Sequence, residues 1–139
     1  FAGDARVEGL GTRLMVEPYN IIVLPNSNLV FGDIDLVALK QNNMRCGGDT
    51  SSIKLRNIAM HMTYDYSFTS GALQFEQDVV MTGTGTFTLG TNMPSTILEN
   101  SSLIIDGPTF AYAPSIVDRD LLAMIDETSR LVLLGSVID

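Results

Sequence analysis

The chain has 139 residues, 45% of them hydrophobic and 17% charged, which describes one domain with enough apolar side chain to fill a core and too little charge for extended disorder. Eight basic against sixteen acidic residues give a formal charge of −8, which argues against nucleic acid and anionic lipid as partners. No apolar run reaches the roughly 18 residues of a membrane-spanning helix, and a single cysteine, Cys46, excludes an intrachain disulfide.

The chain begins at Phe1 and not at Met, which fits loss of a preceding segment such as a secretion signal. Residues 1–18 read as an arm, Phe1 to Asp4, followed by a first partial coil, and residues 19–139 as the remaining coils of one domain. Val7, Leu10 or Leu14 and Val16 alternate around Gly9 and Gly11, which predicts one or two short strands. Asn20 to Leu24 is a fully apolar strand, stopped by Pro25-Asn26-Ser27-Asn28.

From there one device recurs. Leu29-Val-Phe31, Ile53-Lys-Leu55, Leu73-Gln-Phe75, Leu103-Ile-Ile105 and Leu131-Val-Leu133 each place apolar residues on either side of a variable one, 24, 20, 30 and 28 residues apart. After a polar or glycine break, a further apolar residue follows each: Ile34, Ile58, Val79, Phe110 and Val137. Repeats of this length signal a solenoid. Strand alternation then points the apolar pairs inward and Lys54, Arg56, Gln74 and Glu76 outward. Secondary strands are expected at Ala59–Thr63, Val80-Met81, Thr86–Leu89 and Thr96–Leu98.

One segment admits another reading. Leu121, Met124, Ile125 and Thr128, after Asp118 or Asp120, approximate one face of a capped helix. Elsewhere β-branched and aromatic residues with frequent glycine favour strands, so the expected fold is all-β, a parallel β-solenoid of about five irregular coils.

The stretches Gly71–Leu89, Ser101–Pro114 and Thr128–Val137 resemble rungs of right-handed parallel β-helix proteins found in bacterial surface and secreted chains. The resemblance is one of rung style over residues 20–139 and implies an extracellular structural or adhesive role. Polysaccharide lyases and phage tailspikes share that fold, so it does not fix a function.

The residues that could carry chemistry are sparse, and neither enzymatic activity nor a cofactor is expected. His61 is the single histidine, which excludes a multi-histidine metal site. Cys46, in Arg45-Cys46-Gly47-Gly48, reads as a small buried hydrophobe near a loop. Gly83-Thr-Gly85 has no phosphate-loop lysine and reads as a turn. The acidic pairs Asp33/Asp35, Asp118/Asp120 and Asp126/Glu127 read as solvated turn carboxylates, and Asn100-Ser-Ser102 matches a glycosylation sequon. A carbohydrate-binding or carbohydrate-cleaving β-helix would need a groove lined by Tyr64, Tyr66 and Tyr112, with a glycan as partner. A β-sandwich virion protein would use the same strands antiparallel.

The ends remain. A solenoid needs polar caps, yet the last coil, Arg130 to Asp139, ends on a strand with almost no cap. Two explanations are open, that these residues belong to a longer solenoid or that separate subunits stack head to tail; on the second the expected partner is another copy of the chain, and the expected assembly interface comprises Val7, Leu10, Leu14 and Val16 at one end and Leu131, Leu133, Val137 and Ile138 at the other.

Overall fold

The computed structural model describes residues 1–113 and 122–135. Its strands are β1 (Asp4–Met15), β2 (Ile21–Val23), β3 (Asn28–Val37), β4 (Met44–Cys46), β5 (Ser52–Met62), β6 (Tyr66–Phe68), β7 (Ala72–Gly83), β8 (Thr86–Leu89), β9 (Ser95–Ile97), β10 (Ser102–Asp106), β11 (Thr109–Tyr112), β12 (Leu122–Met124) and β13 (Arg130–Leu134). Every pairing among them is parallel. The fold is thus an all-β parallel solenoid of about five turns, and an antiparallel sandwich is excluded.

Each turn starts with a long, bent strand. The main sheet runs β1-β3-β5-β7-β10-β13, with β9 and β12 off that path, while β6, β8 and β11 form a second sheet and β2 and β4 a third. The bend comes from one residue with left-handed backbone: Asp33 (φ 56°), Asn57 (φ 52°), Gln77 (φ 58°) and Asn100 (φ 52°). Asn and Asp tolerate that conformation because their short polar side chains bond locally. The turn shifts the alternation by one residue, so Leu55 and Ile58, three apart, both point inward and are both buried. Asn57 Nδ2 donates to Asp33 Oδ1 of the coil below at 2.7 Å, tying one corner to the next.

The first half of each long strand stacks Ala5, Leu29, Ile53 and Leu73 in one inward column. The second half stacks Leu36, Met60, Met81, Ile105 and Leu133 in another. Lys54 and Arg56 point outward as the alternation predicts. Two details differ from the sequence alignment. Leu103 pairs with Val79 on one side and Leu131 on the other, in the second half of the long strand and not above Leu73. Phe110 lies on the third side, beside Phe87, and not with Ile34, Ile58 and Val79. Val137 lies outside the described residues.

On that third side Tyr66, Phe87 and Phe110 form a stacked ladder, with centroids 6.1 and 5.8 Å apart and planes within 10° and 17°. Offset stacking of this kind adds roughly 1 kcal/mol per pair beyond burial itself. Buried serines satisfy the backbone where coils meet. Leu73 N–H donates to Ser95 Oγ at 3.0 Å, Gln77 N–H to Ser101 Oγ at 2.8 Å, and Ser129 Oγ donates to the Ile97 carbonyl at 3.0 Å. The helical alternative at residues 121–131 gives way to a strand: Leu122–Met124 pairs with Ser95–Ile97, which supplies backbone partners that an isolated helical turn would forgo.

Coil spacing leaves no room for a side chain at the turn after β7. A Cβ on Gly83 (φ 112°) would lie 2.3 Å from the Met62 carbonyl oxygen, whereas one on Gly48 would meet only the Pro25 ring at 3.6 Å. Gly83→Ala is expected to lower stability by about 3 kcal/mol and Gly48→Ala by well under about 1 kcal/mol, as read from urea midpoints.

Candidate functional site

Chemistry-bearing side chains in the body of the solenoid are occupied with structure. Cys46 ends β4 and is buried, not looped out. Burial pushes its thiol up to about 11 despite a hydrogen bond with the Ala72 backbone, so it stays protonated and unreactive. His61 Nδ1 lies 2.6 Å from Thr82 Oγ1 on the next strand, a cross-strand polar pair on the outer face. Asp65 Oδ1 accepts from the Thr86 backbone N–H. Among the described residues no three His, Cys, Asp or Glu side chains gather where an ion could be held, and no helix is long and apolar enough to cross a membrane.

The tyrosines do not form a groove. Tyr66 is fully buried, its hydroxyl donating to the Met44 carbonyl at 2.6 Å, and burial raises its titration further. Tyr64 is exposed and holds Lys40 over its ring at 4.9 Å, while Tyr112 is half-buried against the core. Asp33 serves as a corner residue, and Asp126 closes a turn by accepting from the Thr128 backbone and hydroxyl. Those hydrogen bonds, the hydroxyl's first, lower the Asp126 titration below its ordinary value. The turn is therefore supported while Asp126 is ionised, and that support is lost as pH falls through the lowered titration. Asp118 and Asp120 lie outside the described residues. Asn100 is exposed at its corner, where its N–H donates to Thr128 Oγ1.

The ends are different. Among the described residues, the exposed large hydrophobic side chains are Phe1, Leu10, Met15, Tyr19 and Leu24 in or against the first coil, Met124, Ile125 and Leu134 in the last, and Tyr64 between them. All but Tyr64 therefore sit in the two terminal coils. Val7 and Leu14 are half-buried on the floor of the first coil, together with Ala5 and Ile21, and Leu131 and Leu133 are half-buried in the last, together with Leu122. Val16 is buried in the core and unavailable as a surface residue. Val137 and Ile138 lie outside the described residues.

Leu10 is the extreme case, at 98% exposure. Glu8 pairs with Gly32 and Thr12 with Ile34, so three residues, 9–11, stand opposite Asp33 alone. That excess makes a bulge in the edge strand. Gly11 takes a left-handed φ of 69°, and a Cβ on Gly9 would come within 2.9 Å of Ile34 Cγ2, so glycines on both sides let the chain close again on β3. The sequence pattern named Leu10 as an interface residue but not Met124 and Ile125, although it read a short β segment there, because the exposure of that strand's end has no mark in its own residues. No protein-family model matches the chain, and no characterised protein or solved structure is similar to it.

The buried, protonated thiol makes a prediction for the fold itself. Cys46 is expected to react with a disulfide reagent at mildly alkaline pH only as fast as the protein opens, and at the rate of a free thiol once urea has unfolded it. Fast labelling of the native protein would place Cys46 at the surface.

Proposed function

We propose that the chain is a structural, self-associating β-solenoid subunit of an extracellular filament or surface assembly, stacking head to tail through its terminal coils. One observation carries this reading: among the described residues the exposed large apolar side chains, Tyr64 apart, are concentrated in the first and last coils. Within the stack each coil covers the apolar floor of its neighbour and pairs with its backbone. At the first coil Ala5, Val7, Leu14 and Ile21 keep one side in water, and β1 pairs among the described strands with β3 alone.

Covering such a floor with another coil removes apolar area from water at roughly 25 cal/mol per Å² and supplies strand partners to the edge at the same time. The two ends are different surfaces, so a contact between them is heterologous and propagates instead of closing on itself. A parallel strand stack is the architecture that such addition extends without distortion. The extracellular placement rests on the resemblance in sequence of the rungs Gly71–Leu89, Ser101–Pro114 and Thr128–Val137 to those of right-handed bacterial surface and secreted β-helix chains.

Sedimentation velocity over a concentration series, with negative-stain microscopy of the same samples, tests the reading. The expected result is a weight-average sedimentation coefficient that climbs with concentration, and rod-shaped particles of one solenoid's width. A single monomer boundary up to the solubility limit would overturn it.

A further inference from the structure

We propose that one specific contact sets the junction between successive copies: the Gly9-Leu10-Gly11 knuckle of one copy packs on the Met124-Ile125 corner of the next. The inference rests on the self-association reading above and assigns the residues that make it selective.

The two features occupy the same edge of the solenoid at opposite ends. Both lie at the corner where the first half of the long strand turns into the second. Between the inward columns, this corner holds residues 32–33 in the second coil and 56–57 in the third, two in each. It holds four in the first coil, residues 8–11, and widens through three in the fourth, 76–78, and five in the fifth, 98–102, to six in the last, residues 125–130. A bulge in an edge strand blunts pairing with a regular strand. A tight corner like the second or third coil's would reject the knuckle, and the last coil's wide one has room for it. The solenoid is narrow at this edge in the second to fourth coils and wide in the first and in the last two, the coils at its ends.

The exposed apolar side chains of both corners match. Leu10 is 98% exposed, and Met124 and Ile125 are 57% and 58% exposed. Extending the observed register by one coil sets Ala5 against Leu122, Val7 against Met124 and Leu14 against Leu133, each an inward position on its own strand. Leu10 then comes down at the corner that Ile125 opens. Charges of both signs face the junction: among the described residues Asp4 and Arg13 at one end, and Asp126, Glu127 and Arg130 at the other, have no ion-pair partner. A fully exposed leucine held between two glycines adds nothing to the fold of its own chain, so its packing is available to a second copy.

Two variants with one added cysteine each test the junction, because Cys46 is buried with its titration raised and does not compete. Under mild oxidation, a mixture of Leu10→Cys and Ile125→Cys is expected to give a disulfide-linked dimer, and neither variant alone is expected to do so. Leu10→Asp is expected to weaken association about tenfold with unchanged circular dichroism and urea midpoint, the scale of one interface anchor. If the wild type associates but Leu10→Asp associates equally and the mixture stays unlinked, the knuckle contact is overturned while stacking stands. Leu10→Cys linking to itself would mean head-to-head pairing and would also overturn it. A wild type that stays monomeric overturns both.

Discussion

Parallel pairing between one coil and the next is the constraint on which everything else here depends. In a hairpin a strand finds its partner within a few residues, but in this chain each long strand finds it a whole coil later, so Leu29 waits for Ile53 and Ile53 for Leu73. No coil is stable alone. Its backbone groups and its inward side chains are satisfied only by the coils above and below, and stability is a sum over neighbouring layers. Interior layers have two neighbours. The first layer, among the described residues, has one.

The corners keep those layers in phase. A left-handed residue at Asp33, Asn57, Gln77 and Asn100 bends the strand at one edge of the stack, and the Asn57–Asp33 hydrogen bond links two of these corners directly. On the outer face Arg56 lies across the second coil, where Gly32 leaves space for its guanidinium, and reaches Glu8 in the first coil as well as Asp33. That pair is partly exposed, so its contribution is modest, on the order of 1 kcal/mol or less. Its value lies in spanning three layers. The same corner is narrow in the second to fourth coils and wider in the first and in the last two.

Much of this was legible in the sequence because strand alternation has a fixed period. Ile53-Lys-Leu-Arg and Leu73-Gln-Phe-Glu announce inward and outward faces without ambiguity, and Leu29, Ile53 and Leu73 do share one column. The pattern lost its footing after β7, where the segment that stacks on Leu73-Gln-Phe75 is Ser95-Thr-Ile97, paired through Gln74 and Phe75, so that Ser95 is the next residue in that column. A buried serine that accepts the Leu73 N–H does the work of an apolar residue there, so counting apolar triplets skipped to Leu103, one corner further on. Likewise Tyr66 looked like a surface aromatic because its hydroxyl is polar, yet that hydroxyl is satisfied by the Met44 carbonyl and the ring can be wholly buried. At the ends, Leu10 stood out by its flanking glycines, whereas the exposure of Met124 and Ile125 has no mark in their own residues. Residues that are satisfied by a distant coil leave no local mark.

Amide hydrogen exchange, resolved by strand and repeated at low and high protein concentration, bears most directly on the claim that each layer depends on its neighbours and that the ends lack one. Amides of β5 and β7 should be strongly protected at every concentration, whereas those of β1 should exchange fast when dilute and become protected as the protein concentrates. Protection of β1 equal to that of β5 in dilute solution, or fast exchange at β1 that concentration does not slow, would contradict it.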